Sequence, residues 1–201
     1  MSKYVIGLTG GIACGKSNLS RALREQGVHV IDADAISHSL TADGGPALPA
    51  IRQAFGDQVF DGDSLNRRTL ANLVFSDEDK RKTLNGILHP MVLSEIRREI
   101  GAEEAAVVLD VPLLFETGMD SWCDEIWCAY VPQKIQIQRV MKRDGVSGRE
   151  ALRRIRSQMP VREKCKRSRH VIRTDGSKEN SAALVLSLWR QIQGRIEGER
   201  L

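Results

Sequence analysis

Aromatic residues are scarce in this chain: Phe, Trp and Tyr make up 4% of its 201 residues. Nucleic-acid grooves that hold single strands rely on stacked aromatics, so a nucleic-acid partner is not expected. Long apolar runs are missing too. No stretch approaches the roughly 18 residues needed to cross a bilayer, and no membrane association is expected. The four cysteines, Cys14, Cys123, Cys128 and Cys165, form no C-x-x-C pair. They also show no zinc-ligand spacing with His29, His38, His89 or His170, which leaves them as reduced thiols. No charged, apolar and small-residue leader precedes the first apolar run, and the expected location is cytoplasmic. Repeats and low-complexity tracts are absent. So are the N-K-x-D and D-x-x-G signatures of GTPase switches, which weighs against a nucleotide-dependent switch.

What is present describes an ordinary globular domain, 41% hydrophobic and 28% charged. It is long enough to bury one proper core. The net charge of +4 conceals an asymmetry. Between Arg139 and Arg173 thirteen Lys/Arg face three acids, a local +10, and the remainder carries −6. Such a block suits a polyanion held in a cleft, an anionic surface, or a solvated face. Within it, Lys164 to Arg169 reads as phosphate handling or plain surface rather than a nucleic-acid patch.

The most informative string is Gly10 to Ser17, G-G-I-A-C-G-K-S. It fits a glycine, four residues, then Gly-Lys-Ser. Glycines let the backbone curl so that successive N–H groups point at phosphate oxygens, with the positive end of the following helix facing the same anion. Lys16 adds a mobile cation and Ser17 a hydroxyl for Mg²⁺. An apolar run, Tyr4 to Leu8, precedes the loop and a helix-compatible segment, Asn18 to Gln26, follows it. The loop backbone from Gly11 through Ile12, Ala13, Cys14 and Gly15 to Asn18 is the expected triphosphate cradle. For Cys14 two readings stay open: a small residue filling the turn, or a thiol whose pKa the loop dipoles and Lys16 lower.

Further along, Val28 to Ile31, Ala105 to Leu109, Ile126 to Val131 and Val171-Ile172 read as short buried strands separated by helices. That pattern implies a parallel sheet with helices on both faces. Ala42 to Ile100 looks helical with no strand, hence an insertion. Its helices are expected over Pro49 to Phe55, Arg67 to Phe75, Asp77 to Leu88 from a Ser76 cap to a stop at His89-Pro90, and Met91 to Ile100. Lys178 to Glu197 closes the chain as an amphipathic helix.

Three sets of residues carry candidate chemistry. Asp32 and Asp34 end the second strand, where one carboxylate can accept a hydroxyl proton or help hold Mg²⁺ and the other cap the next helix. Spacing alone does not choose between them. Asp110 ends a hydrophobic strand, as a Walker-B acid does, and is a rival for the metal. Arg139 and Arg143 lie one helical turn apart and suit triphosphate oxygens, with a solvated basic helix as the alternative. Arg149, Arg153, Arg154 and Arg156 follow a glycine-containing break, as in a mobile lid that excludes water.

These pieces together resemble the dephospho-CoA kinase family over essentially the whole chain. The landmarks are I-G-L-T-G-G-I-A-C-G-K-S at Ile6 to Ser17, V-I-D-A-D at Val30 to Asp34, and L-N-R-R-T-L at Leu65 to Leu70. L-H-P at Leu88 to Pro90, V-P-L-L-F-E at Val111 to Glu116 and Q-R-V-M-K-R-D at Gln138 to Asp144 complete the set. The resemblance implies an α/β P-loop fold like that of nucleoside-monophosphate kinases, in one domain. Its core would be 1–41, 101–139 and 170–201, with a helical substrate-binding insertion at about 42–100 and a lid at about 140–169. It implies MgATP-dependent phosphorylation of the ribose 3′-hydroxyl of dephospho-CoA, the last step of CoA synthesis. Asp34 would then be the general base and Ser17 the Mg²⁺ ligand. Lys16 would sit on the β and γ phosphates, and Arg143, helped by Arg139, on the transferring group. A monomer or weak homo-oligomer is expected. Two departures stand out: Ala13-Cys14 where the family commonly has Gly-Ser, and Asn18 where it has Thr, which puts a side-chain contact to the α phosphate in doubt.

Overall fold

The computed structural model describes residues 3–102 and 106–198. In chain order, β1 (Tyr4–Gly10) leads to α1 (Lys16–Glu25), and β2 (Val30–Asp32) to α2 (Ala33–Leu40). Then come α3 (Leu48–Phe55), a 3-10 turn (Asp57–Val59), β3 (Phe60–Asp61), β4 (Ser64–Leu65), α4 (Arg67–Ser76) and α5 (Glu78–Ala102). β5 (Ala106–Asp110), a second 3-10 turn (Met119–Trp122), β6 (Glu125–Tyr130) and α6 (Gln133–Asp144) follow. The chain closes with α7 (Gly148–Arg156), α8 (Val161–Lys166), β7 (His170–Arg173) and α9 (Lys178–Gly198). Ala105, assigned from sequence to the start of a strand, lies outside the described residues. Among these helices none is long and apolar enough to cross a membrane.

The chain divides into two compact units, Met1–Ile31 with Glu103–Leu201, and Asp32–Ala102. The sheet has the order β2-β5-β1-β6-β7. β1 pairs in parallel with β5 and β6, and β6 with β7. Because helices cover both faces, β1 is buried from Val5 to Gly10 with no alternation, the mark of an interior parallel strand. Ile6, Leu8, Val108, Trp127 and Ile172 meet Leu19 and Leu23 of α1 and Leu188, Trp189 and Ile192 of α9 in one core. Each such side chain contributes about 1.5–3 kcal/mol of burial. The parallel register sets Leu8 opposite Asp110 and Gly10 opposite Ala129, so β1 and β5 run out together where the phosphate loop begins.

In the second unit α5 packs against α2, α3 and α4. Three sequence expectations need correction here. The insertion is not purely helical, because β3 and β4 form a small antiparallel hairpin closed by Gly62 at φ 64. Runs of two residues are too short to show a strand's period of two. The helix expected to stop at His89-Pro90 instead continues as one 25-residue α5 with Pro90 inside it. Proline removes one N–H and so leaves the carbonyl four residues back, on Gly86, without its donor. Gly86 and Pro90 are both exposed, and water can satisfy that carbonyl. Finally, Ser76 ends α4 rather than capping the next helix. The cap is Asp77, whose Oδ1 accepts from the amides of Asp79 and Lys80.

Candidate active site

The phosphate loop occupies the short connection from β1 to α1. Gly15 caps α1 at φ 79, a left-handed conformation that glycine takes without penalty. Ala13 also has a positive φ, 58°, the only non-glycine residue to do so among the described residues. The departure from Gly at this position is therefore accommodated at a backbone cost of about 1–2 kcal/mol. Gly11 is required for space, since a Cβ there would come within 2.6 Å of Gln136 Nε2 and 3.2 Å of Val161 Cβ.

Four side chains distant in sequence hold the loop in this shape. Gln136 Nε2 donates to the Ile12 carbonyl at 2.9 Å, while Gln158 Oε1 accepts from the Ile12 amide at 3.1 Å. Thr174 Oγ1 donates to the Cys14 carbonyl at 2.6 Å. Arg139 donates from Nη1 to the Ala13 carbonyl at 3.3 Å and from Nη2 to the Thr174 carbonyl at 2.6 Å. Arg139 is thus engaged with the loop's own backbone and with the segment after β7. Gln136, Gln158 and Thr174 escaped the sequence reading, and no signal in a single sequence marks such isolated polar residues.

Lys16, the first residue of α1, forms an ion pair with Asp110 at the end of β5, and Ser20 Oγ donates to the same carboxylate. Asp110 is almost fully buried. A buried carboxylate needs such donors, and here they come from one face of α1, at positions four apart. Ser17 is exposed in the first turn of α1. The Asn18 side chain is engaged elsewhere: its Nδ2 donates to the Lys178 carbonyl at 3.1 Å and to Ser181 Oγ at 3.3 Å, tying α1 to α9. Of the two readings of Cys14, the structure supports the small residue filling the turn, because Cys14 is fully buried and burial pushes its thiol above the ordinary range. The loop dipoles and the more distant cations do not offset that desolvation.

Arg143 lies in the last turn of α6 and is exposed. Its Nε donates to Asp144 Oδ1 at 2.6 Å, and this hydrogen bond holds the Asp144 carboxyl below the usual carboxylate range. Asp144 also takes Arg154 Nη1 at 2.8 Å, so α6 and α7 share one charge cluster that Glu150 extends to Arg153. The basic stretch of the sequence is therefore not one surface. Arg139 turns inward, several arginines pair within the α6–α7 cluster, and Lys164 is fully buried.

In the second unit Asp32 is the N-cap of α2, its Oδ1 accepting from the amides of Asp34 and Ala35, both at 3.1 Å. Asp34, in the first turn of the same helix, lines a cleft of about 380 Å³. Leu65, Leu70, Val74, Leu84 and Leu88 give this cleft an apolar lining, while His38 and Arg67 add polar edges. Arg67 braces the wall through Thr41 Oγ1 at 2.9 Å and the Thr41 carbonyl at 2.9 Å. His89 does not belong to the lining.

No cluster of three His, Cys, Asp or Glu side chains is arranged to hold a metal among the described residues. Mg²⁺ that accompanies a nucleotide takes most of its ligands from phosphate and water, with one or two from protein. A single exposed hydroxyl, Ser17, in the first turn of α1 fits that donor set.

A parallel sheet of this order, with a glycine-rich loop opening the helix after its central strand, makes the architecture that of a P-loop kinase of the nucleoside-monophosphate-kinase type. The profile of the dephospho-CoA kinase family matches residues 4–180, and the chain belongs to that family. The dephospho-CoA kinase of Carboxydothermus hydrogenoformans is 44% identical over 189 residues, which cover 92% of each chain. A crystal structure from Thermus thermophilus superposes with a TM-score of 0.81 at 34% identity, covering 96% of this chain and 99% of its own. The dephospho-CoA kinase of Campylobacter jejuni shares the fold, with a TM-score of 0.68 at 23% identity over 94% and 97% of the two chains.

Proposed function

We propose that this chain transfers the γ-phosphoryl group of ATP to the ribose 3′-hydroxyl of dephospho-CoA, giving CoA and ADP. The carrying observation is the phosphate loop, held in its curled form by four distant side chains, in a chain whose residues 4–180 match the dephospho-CoA kinase family. Amides of the loop between Gly11 and Ser17 and the Lys16 ammonium bind the triphosphate, while the Ile12 amide stays with Gln158. For Lys16 to reach the β and γ phosphates it exchanges Asp110 for phosphate oxygens. Ser17 would hold Mg²⁺, which supplies charge neutralisation on the β and γ oxygens when bound.

Asp34 accepts the proton of the 3′-hydroxyl as its oxygen bonds to the γ phosphorus and the bond to the β–γ bridging oxygen breaks. Arg143 stabilises the charge that develops on the transferring group, which requires it to leave Asp144. Arg139 keeps the loop curled while that happens. The apolar lining near Asp34 suits the uncharged parts of the acceptor. In this reading about 42–100 serves as the substrate-binding part, about 140–169 as the lid, and the remainder as the core. The enzyme would work in the cytoplasm, as a monomer or weak homo-oligomer, where ATP and the acceptor meet.

A coupled ADP-release assay with dephospho-CoA, AMP and shikimate offered separately tests the proposal. ADP release is expected with dephospho-CoA alone, and phosphorus NMR of the product should show the new phosphate on the 3′ oxygen. No stimulation by dephospho-CoA would overturn the reading.

A further inference from the structure

Among the described residues Lys164 is the largest buried polar side chain, with no solvent exposure at all. Its Nζ donates to the Pro112 carbonyl at 2.6 Å and lies 2.9 Å and 3.0 Å from the two oxygens of Glu116. Glu116 keeps part of its side chain at the surface, so the ammonium alone is wholly withdrawn from water, a costly filling for such a space. An apolar side chain of similar volume commonly does as well or better. The reason for a charge here therefore lies in what it holds in place.

Through Pro112 and Glu116 this ammonium is linked to two further segments that border the phosphate loop. The Pro112 carbonyl also accepts from Thr9 Oγ1 at 3.1 Å, and Thr9 is the residue before Gly10 in β1. Pro112 itself lies two residues beyond Asp110, the partner of Lys16. Glu116 Oε1 in turn accepts from the Met159 amide at 2.9 Å. That contact fixes the segment by which the chain returns from α7, and the residue before Met159 is Gln158, whose side chain accepts from the Ile12 amide. α8 completes the arrangement, since Val161 and Lys164 are its buried residues, three apart and so on one face. Val161 is one of the three residues that a Cβ at Gly11 would meet.

We infer that Lys164 and Glu116 are positioning residues for phosphoryl transfer: through Pro112 and Met159 they fix the segment that delivers Gln158 to Ile12, and thereby set the mouth of the phosphate loop. The inference rests on the reading of Gly10 to Ser17 as the ATP site of a dephospho-CoA kinase. Wild-type turnover with dephospho-CoA checks that reading separately, before any variant is compared.

The test is steady-state kinetics with MgATP and dephospho-CoA varied in turn, alongside thermal unfolding, on Q158A, E116Q, K164M and the double variant K164M/Q158A. Loss of the Gln158 contact should raise KM for ATP about fivefold, the size of one hydrogen bond. K164M should raise it about tenfold, and KM for dephospho-CoA should change less than about twofold in both. Since both act along one path, the double variant should resemble K164M and fall well short of the roughly 50-fold product expected of independent sites. If K164M does not fold, Q158A and E116Q carry the test, because both keep the buried cation in place. An unchanged KM for ATP in Q158A and E116Q, or a double variant showing the full product, would overturn the inference and leave Lys164 a packing residue.

Discussion

The phosphate loop is held by side chains that lie far along the chain, whereas the cleft lined by Asp34 is built from helices that follow one another closely. Ile12 meets Gln158 across 146 residues and Cys14 meets Thr174 across 160, while the brace from Arg67 to Thr41 spans 26. The linings differ as well: backbone amides and cations around the loop, six aliphatic side chains in the cleft. A charged, geometrically demanding ligand needs donors fixed before it arrives, because preorganised dipoles cost nothing to reorient during the reaction. An acceptor recognised through apolar surface needs chiefly shape and area. The two regions should consequently respond to substitution in different kinetic parameters.

The largest contrast is expected within the cationic helix itself. Arg143→Ala should lower turnover by about 10³-fold with little change in ATP affinity, the signature of a group that acts on the transferring phosphoryl. Arg139→Ala, which frees the Ala13 carbonyl, should instead raise KM for ATP. Stopped-flow turnover and equilibrium binding of ATP separate these outcomes, and a greater loss of affinity than of rate in Arg143→Ala would recast it as a ground-state clamp. Next in size is Asp34→Asn, expected to cost about 10²-fold in turnover, the scale of general base catalysis, with ATP binding intact. Asp32→Asn should be mild, since asparagine caps a helix nearly as well as aspartate. Reversal of that order in a turnover assay would transfer the role of base to Asp32.

Within the cleft, Leu84→Ala should raise KM for dephospho-CoA by up to about tenfold through lost apolar contact, leaving KM for ATP unchanged. An equal effect on both substrates would erase the division between the two regions. The smallest effect is on stability alone and concerns the first unit. Glu125 is buried, which by itself would raise its pKa, but hydrogen bonds from Trp127, Arg195 and Tyr4 prevail and hold its carboxyl below the usual range. A depressed folded-state pKa contributes stability that is complete above the unfolded value and is lost as pH falls through the folded one. Melting temperatures between pH 6 and 3 should therefore fall more steeply for the wild type than for Glu125→Gln. Parallel curves would mean that these long-range bonds do not depend on the carboxylate charge.

Much of the active-site side was legible because its signals are local. The spacing from Gly10 to Ser17, the apolar run before it and the helix after it sit within about twenty residues, and Asp32 and Asp34 follow a short strand in the expected manner. The sheet strands were legible as buried apolar runs. The missed features share a cause. A helix that tolerates Pro90 depends on a water-exposed Gly86 carbonyl, and the β3–β4 hairpin depends on Gly62 and a pairing of two residues each. Lys164 stands in a run of lysines and arginines from which nothing local distinguishes it, yet it is the one with no solvent exposure.

By itself, then, the chain determined that a glycine-rich loop of the phosphate-binding pattern lies between a strand and a helix, and that carboxylates and arginines suited to phosphoryl transfer accompany it. Those properties follow from residue type and short spacing, which set backbone curvature, helix polarity and charge locally. Only the tertiary structure decided that Arg139 braces the loop, that Cys14 is a buried thiol, and that Lys16 pairs with Asp110. Each of these depends on burial or on a partner more than one element away, and desolvation and hydrogen-bond geometry exist only once the sheet has brought those elements together.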